Sequence, residues 1–263
     1  MEIADSFVPT AGVVGLLPMV TYFFLVVAMF VFIGLFVFSL AARKPVSSEQ
    51  DRPVFLVTPV IAAVAGLTYY LIQVHYHDVL ADLVTVPDGN DRQTLIRESY
   101  NAISQYRYMA LFIITPLLAF QLLPLLQIQP GQYKRPFMKL LAGSSLMVFA
   151  CYIGHQQLTF DNEIQAGPFA VWAFVALIIF GFLVVTVNRL WKELGGVTRS
   201  AFRFSALILA ACWTIYFLGY FLTLAPIDAN WIQLVFTLAD MASILGVSLI
   251  LYLFSTNRWS TSL

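Results

Sequence analysis

Seven long runs of apolar residues alternate with short polar segments along the chain. A helix of about 20 apolar residues spans the hydrocarbon core of a bilayer, and each run reaches this length. The segments between the runs are rich in turn-forming residues, as in SSEQDRP, VPDGNDRQ and KELGGVTRS. The pattern predicts an all-α bundle of seven transmembrane helices, over residues 15–42, 53–76, 100–127, 137–157, 168–191, 201–225 and 231–256.

The composition indicates the same class of protein. Of the 263 residues, 60% are hydrophobic and only 11% are charged, whereas charged residues make up about a quarter of an average soluble domain. The first apolar run is too long for a signal-peptide core and follows no basic segment, so we interpret it as the first span. We expect residues 1–263 to form a single domain embedded in the lipid bilayer.

Basic residues are concentrated in alternate connections between the predicted spans. The first, third and fifth connections and the C-terminal tail hold most of the lysine and arginine, and the others are mainly acidic. Because cytoplasmic connections carry the excess of positive charge, we expect the N-terminus outside the cell and the C-terminus in the cytoplasm. The second connection, residues 77–99, is the longest, and its composition is compatible with a β-hairpin around Asp88, Gly89 and Asn90.

Several kinds of site are not indicated by the sequence. It contains no basic tract for nucleic acid, no glycine-rich phosphate loop and no helical metal-binding pattern. The two cysteines lie in separate apolar runs, which is typical of buried free thiols. His75, His77 and Asp78 are close in sequence, but positions i and i+2 do not share a helix face. We therefore interpret these histidines and His155 as exposed interfacial residues, and place Tyr76 in an interfacial aromatic belt.

Two ionisable side chains remain deep within the predicted spans. Arg107 lies in the third span and Asp240 in the seventh. A charge in the bilayer interior is costly unless it faces the centre of the bundle and has a partner of opposite sign. We therefore expect Arg107 and Asp240 to be partners.

The third span contains the segment YRYMALFIITPLLAFQ, which resembles the third helix of the microbial rhodopsins. In that family an arginine and a tyrosine precede a Thr-Pro-Leu-Leu segment beneath a retinal chromophore, and here Arg107 and Tyr108 precede residues 115–118. The segments WTIYFLGY in the sixth span and LADMAS in the seventh also resemble the family. KLLAGSSLMVFACYIG in the fourth span is similar to the proteorhodopsin branch. The resemblance extends over all seven spans and implies a multi-pass protein of the bacterial inner membrane.

Positions that carry the family's chemistry hold other residues in this chain. The lysine that forms the retinal Schiff base stands one turn after the aspartate of the seventh helix, where this chain has Ile244. The proton-acceptor position holds Ala110, a nearby threonine position holds Ile114, and the proton-donor position holds Gln121. The resemblance therefore implies neither covalent retinal nor light-driven ion transport. All the lysines lie near the predicted cytoplasmic connections, at positions 44, 134, 139 and 192.

The replacements keep the buried charge balanced. Without the Schiff-base lysine and the acceptor aspartate, Arg107 and Asp240 remain as opposite charges in a low-dielectric interior. The resemblance places Tyr69 where a tyrosine bonds this aspartate, and Tyr216 on the facing helix. We interpret the four residues as a buried polar cluster in which Asp240 is a structural counter-charge. The alternative is that the cluster orients a noncovalently held ligand, an ion or water.

The residues around the former chromophore site are mostly large. A cavity with aromatic walls can bind retinal, a carotenoid or another lipid without a covalent bond. Phe217 and Ile244 are both bulky and both face this site, so we favour a filled or reshaped cavity over an open one. The resemblance assigns the walls to Thr115, Leu118, Met147, Trp213, Phe217 and Tyr220.

Three functions are compatible with these features. We favour a non-transporting rhodopsin homologue that acts as a scaffold or accessory subunit, either as a homo-oligomer or with another membrane protein. The second hypothesis is a photoreceptor or sensor that binds retinal or a carotenoid noncovalently. An enzyme or carrier for an apolar substrate ranks last, because the sequence has no catalytic constellation. We therefore expect no enzymatic activity, no covalent cofactor, no bound metal and no nucleic-acid partner.

Overall fold

The computed structural model describes residues 9–42, 52–86, 89–122, 134–158, 164–193 and 196–255. A single helical turn, Ala11–Val14, precedes seven long helices. All seven are long and apolar enough to cross a membrane, which confirms the predicted all-α class. The long helices are α1 (Leu16–Ala41), α2 (Arg52–Thr85), α3 (Gly89–Gln121), α4 (Lys134–His155), α5 (Ala166–Glu193), α6 (Gly196–Leu222) and α7 (Ala229–Ser255).

The helices pack side by side in chain order, and α7 closes the bundle by packing against α1. α3 also contacts α7 across the interior. Of the most apolar segment of each helix, 56% is buried in α3 and in α7, but only 22% in α1 and 17% in α5. Because lipid is as apolar as leucine, exposed hydrophobic faces are expected on helices such as α1 and α5. The centre of the bundle is therefore built mainly around α3 and α7.

Two glycines near helix ends allow aromatic side chains to approach the helix backbone closely. A Cβ atom at Gly219 of α6 would overlap the ring of Phe236 on α7. A Cβ atom at Gly154 of α4 would overlap the hydroxyl group of Tyr220 on α6. Small residues of this kind let helices approach each other closely in membranes. They bring the aromatic side chains of α6 and α7 into the space between the helices.

The connection between α2 and α3 differs from the prediction. α2 continues to Thr85 and α3 begins at Gly89, so the β-hairpin hypothesis is wrong; Asp88 itself lies outside the described residues. The Arg92 side chain donates hydrogen bonds to the carbonyl oxygens of Leu83 at 2.9 Å and of Val86 at 3.0 Å. Carbonyl groups at a helix end need such partners. The polar residues of this segment therefore support longer helices.

The other boundaries agree with the prediction to within one or two helical turns. The third span was predicted to continue to residue 127, but residues 123–133 lie outside the described part of the chain. The seventh was predicted to end at residue 256, which is also outside it. Hydrophobic run length therefore located all seven helices, and its errors are confined to the helix ends.

Candidate functional site

Four polar side chains meet at the centre of the bundle, between α2, α3, α6 and α7. Asp240 accepts a hydrogen bond from Tyr69 Oη at 2.7 Å and another from Tyr216 Oη at 2.5 Å. The Nε atom of Arg107 lies 3.9 Å from Asp240 Oδ2. Arg107 and Asp240 are only 3% and 4% exposed. The structure thus brings together the four residues that the sequence analysis grouped, and we call them the central cluster.

Arg107 has further neighbours besides Asp240. Its Nη2 atom donates a hydrogen bond to Thr237 Oγ1 at 3.2 Å. The guanidinium carbon lies 5.7 Å from the ring centroid of Tyr69 and 5.6 Å from that of Phe236. Aromatic faces attract cations at these distances. The positive charge is therefore stabilised by one carboxylate, one hydroxyl group and two rings.

One face of α7 carries a polar stripe that the sequence analysis missed. Its members recur at intervals of three and four residues, so they lie on one side of the helix. Tyr76 on α2 donates a 2.5 Å hydrogen bond to the first member, Asn230. Tyr76 is 1% exposed, so its assignment to an interfacial belt was wrong. The spacing alone would have revealed the stripe, which consists of Asn230, Gln233, Thr237 and Asp240.

A small cavity adjoins the central cluster between α3, α4, α6 and α7. Its volume is about 40 Å³, room for a few water molecules, whereas ligand pockets usually measure about 300–1,000 Å³. Ile244 lines it and is 1% exposed. All the wall residues expected from the sequence contribute, namely Thr115, Leu118, Met147, Trp213, Phe217 and Tyr220.

Large apolar side chains occupy the space around this cavity. Phe217 is buried, and its ring centroid lies 5.2 Å from that of Phe180 on α5. Ile114 and Ile244 also lie on the cavity wall and are buried. None of the described residues that line the cavity is a lysine. The described walls therefore combine bulky apolar groups with the polar edge formed by Asp240.

The two remaining positions from the sequence analysis are buried beside other helices. Ala110 is buried on α3 and is not among the described residues that line the small cavity. Gln121 is fully buried, and its Nε2 atom donates a 2.8 Å hydrogen bond to Thr58 Oγ1 on α2. Gln121 therefore links two helices at a distance from the central cluster.

His155 lies inside the bundle, contrary to the expectation of an exposed histidine. It is 1% exposed, and its ring centroid lies 5.6 Å from those of Tyr100 and Tyr108 on α3. The end of α4 packs against α3 here, so the imidazole is enclosed by aromatic rings. His75 and His77 are half-buried on α2. Among the described residues, no group of three metal-ligating side chains occurs.

Comparison with protein-family models assigns the chain to a family. Residues 18–257 match the family described as bacteriorhodopsin-like protein. The chain belongs to this family of microbial rhodopsins. It is therefore a multi-pass membrane protein with the seven-helix rhodopsin fold. A comparison with curated protein sequences gave no match.

Solved rhodopsin structures share the fold over nearly the whole chain. The rhodopsin of Exiguobacterium sibiricum is 18% identical with a TM-score of 0.70, and the alignment covers 92% of this chain and 99% of that one. Xanthorhodopsin, a light-driven ion pump with dual chromophore, is 16% identical with a TM-score of 0.73, and the alignment covers 94% of this chain and 96% of that one. A thermophilic rhodopsin is 20% identical with a TM-score of 0.71, and the alignment covers 94% of this chain and 96% of that one. At these identities the likeness establishes the fold alone.

Proposed function

We propose that this protein is a rhodopsin homologue that forms no retinal Schiff base and drives no ion transport. It acts instead as a scaffold or accessory subunit of a membrane complex. The observation that carries this proposal is the small cavity, which has a volume of about 40 Å³ and which Ile244 lines; the sequence resemblance assigns the Schiff-base lysine position to Ile244. A covalently bound retinal needs both an amine and a long pocket. Ile244 has no amine, and a cavity of about 40 Å³ is too small for a polyene.

The distribution of lysine supports the absence of a covalent chromophore. An imine forms only with an amine, and α7 contains no lysine between its first and last residue. The two lysines whose side chains are described, Lys139 and Lys192, are exposed near the ends of α4 and α5. Lys139 lies eight residues before Met147, a cavity residue on the same helix, which is about 12 Å along the helix axis.

The residues along α3 support the absence of proton pumping. A pump needs titratable groups that accept and donate protons along the path. Ala110 and Gln121 cannot fill these roles, and Gln121 is engaged with Thr58. Asp240 remains, but two tyrosines and Arg107 surround it. We therefore assign Asp240 the role of structural counter-charge to Arg107.

The exposed surface is consistent with a role in assembly. α1 and α5 present large apolar side chains, including Phe23, Phe30, Phe174 and Phe182, outside the bundle. Such faces contact lipid or partner helices. We propose a single seven-helix domain that forms a homo-oligomer or joins another membrane protein in a bacterial inner membrane. The charge distribution favours an outer N-terminus and a cytoplasmic C-terminus.

The second candidate is a noncovalent retinal or carotenoid receptor. The aromatic side chains of Trp213, Tyr216 and Tyr220 still line the small cavity, and they offer stacking surfaces for a polyene. Such a ligand fits only after Phe217 or Ile244 moves aside. This alternative predicts that pigment stays with the purified protein.

The test is purification from the native membrane in mild detergent, followed by a visible absorption spectrum and mass spectrometry of the extract. We expect a colourless protein that co-purifies as a homo-oligomer or with a membrane partner. A stoichiometric retinoid or carotenoid in the extract would favour the receptor function over the scaffold function. A colourless monomer without any partner after gentle crosslinking in the membrane would contradict the scaffold proposal.

Three variants test whether the cavity is filled. Ile244→Lys with Ala110→Asp restores the amine and the acceptor, and adding Phe217→Ala also restores space. We expect retinal to form a coloured pigment only with the triple variant. Val247→Lys with Ala110→Asp and Phe217→Ala is the matched control, because Val247 is buried on α7 but is not among the residues lining the cavity. Pigment with the double variant Ile244→Lys, Ala110→Asp would show that the volume of the cavity does not limit retinal binding.

A further inference from the structure

A lateral groove runs between α5 and α6 on the outside of the bundle. Among the described residues, these two helices pack less closely than any other two consecutive long helices. The groove has a volume of about 390 Å³, within the range of about 300–1,000 Å³ that is usual for ligand pockets. Val184 and Leu207 line it and are 43% and 53% exposed. The groove therefore opens toward the surrounding lipid.

The side chains on the two facing helices account for the gap. Ala206 and Ala210 of α6 line the groove, and their spacing of four residues places them on one face of the helix. Val184 and Val187 line it from α5. Because alanine carries only a methyl group, the valines have no large side chain to pack against. None of the four residues is buried, so a molecule in the groove reaches all of them.

A contact between α5 and α6 lies at each end of the lateral groove. At the end nearer the small cavity, the ring centroids of Phe180 and Trp213 are 6.2 Å apart. At the other end, near the turn that joins the helices, the guanidinium carbon of Arg203 lies 5.2 Å from the ring centroid of Trp191. All four residues line the groove. The groove is therefore a slot bridged at both ends.

The length of this slot matches one leaflet of a bilayer. Arg203 and Trp213 are ten residues apart on α6, which is about 15 Å along the helix axis. The hydrocarbon core of a bilayer is about 30 Å thick, so one leaflet contributes about 15 Å. A partner helix with its side chains is about 10–12 Å in diameter, too wide for a slot that is bridged at both ends. A single hydrocarbon chain fits it along the whole length.

Positive charge is concentrated at the end of the groove near the α5–α6 turn. The sequence from residue 188 to residue 203 contains four basic residues and one acidic residue. The side chains of Arg189, Lys192 and Arg203 are exposed. Basic segments next to membrane-spanning helices attract anionic lipids, and tryptophan residues such as Trp191 are enriched at the level of the headgroups. This charge favours a lipid with a negative headgroup over a zwitterionic lipid.

We propose that the lateral groove binds one acyl chain of an anionic phospholipid. The chain packs against the valines of α5 and the alanines of α6 and ends near Trp213, and the phosphate lies at the level of Arg203. Because the surrounding lipid is as apolar as the groove, the affinity comes from the dispersion contacts of a fitted chain and from the headgroup. The proposal rests on the membrane location of the chain and is independent of the scaffold role.

The test uses the full chain, purified and delipidated in mild detergent. Native mass spectrometry follows its titration with dioleoyl phosphatidylglycerol, which is anionic. Dioleoyl phosphatidylcholine has the same acyl chains and no net charge, and is titrated separately. We expect the first phosphatidylglycerol to bind at least about threefold more tightly than the first phosphatidylcholine. Equal affinity for the two lipids would overturn the proposal.

A pair of double variants assigns the binding to the groove. Ala206→Leu with Ala210→Leu fills the slot without changing any charge. The matched control is Ala170→Leu with Ala211→Leu, because these alanines are exposed on α5 and α6 and are not among the described residues that line the groove. We expect the affinity for phosphatidylglycerol to fall about tenfold in the first double variant, which corresponds to the loss of about ten atom contacts. Equal affinity of the two double variants would overturn the proposal.

A single substitution tests the position of the headgroup. Arg203→Gln removes the charge at the end of the groove, and Lys139→Gln is the control, since Lys139 is exposed near the start of α4. We expect Arg203→Gln to weaken phosphatidylglycerol binding about threefold to fivefold and Lys139→Gln to leave it unchanged. Equal weakening by the two substitutions would overturn the assignment of the phosphate to Arg203.

Photolabelling of the natural chain requires no variant to fold. The probe is phosphatidylglycerol with a diazirine group midway along one acyl chain, and peptide mapping locates the crosslinks. We expect the crosslinks to be concentrated on α5 near Val184 and Val187 and on α6 near Ala206 and Ala210. Crosslinks spread evenly over all lipid-facing helices would overturn the proposal.

Discussion

The two halves of α7 present different chemistry on the same inward face. From Asn230 to Asp240 the face is polar, and its side chains contact α2, α3 and α6 through hydrogen bonds. Beyond Asp240 the same spacing continues with Ile244, Val247 and Leu251, which are all buried. The first half is thus held mainly by directional contacts and the second mainly by close packing, in which the buried side chains of Ser243 and Ser248 are the polar members. Ile244, to which the sequence resemblance assigns the family's lysine position, begins this apolar series.

This difference indicates how each half responds to substitution. Removing one partner of a buried ion pair leaves an uncompensated charge, which is strongly destabilising. Replacing one apolar side chain by another of similar volume is usually tolerated. We therefore expect the polar half to be sensitive to the loss of single atoms and the apolar half to be sensitive mainly to volume.

The largest effect is expected from Arg107→Met, which removes the positive partner of Asp240. The free energy of unfolding should fall by about 3–5 kcal/mol, because Asp240 keeps two tyrosine donors but loses its counter-charge. Thermal and denaturant unfolding in detergent measure this change. Arg107→Met combined with Asp240→Asn should recover at least half of the loss. A double variant as unstable as Arg107→Met alone would contradict the ion pair.

A smaller effect is expected from Tyr69→Phe, which removes one hydrogen bond to the Asp240 carboxylate. Hydrogen bonds to charged groups contribute about 1.5–3 kcal/mol, so the free energy of unfolding should fall by about this amount. Tyr70→Phe is the control, since Tyr70 is the next residue on α2 and is exposed. It should change stability by less than about 0.5 kcal/mol. Equal effects of the two substitutions would mean that the hydroxyl group of Tyr69 contributes nothing to stability.

The smallest effect is expected from Ile244→Leu, which conserves volume in the apolar half. The free energy of unfolding should change by less than about 1.5 kcal/mol. Ile244→Asn is the informative contrast, because it introduces an amide group into the apolar half and should be clearly more destabilising. The same unfolding measurement compares the two. Similar stability of Ile244→Leu and Ile244→Asn would contradict the expected dependence of this half on apolar packing.

Sequence reasoning located the seven helices because hydrophobic run length directly reflects membrane thickness. It also grouped Arg107 with Asp240, since two opposite charges within apolar spans need each other. It misplaced the ends of α2 and α3 because hydropathy does not register a charged helix segment such as the one around Arg92. The environments of His155 and Tyr76 depend on contacts between helices, which no single-helix pattern contains. Cavity volume likewise follows from packing between several helices.

The most direct test of the filled, lysine-free site is chemical trapping. The purified protein is incubated with all-trans retinal, reduced with borohydride to fix any imine, and examined by intact mass spectrometry and peptide mapping. The triple variant Ile244→Lys, Ala110→Asp and Phe217→Ala serves as the positive control, mapped to position 244. We predict no stoichiometric retinyl adduct on the natural chain. A stoichiometric adduct on any of its lysines would contradict the account.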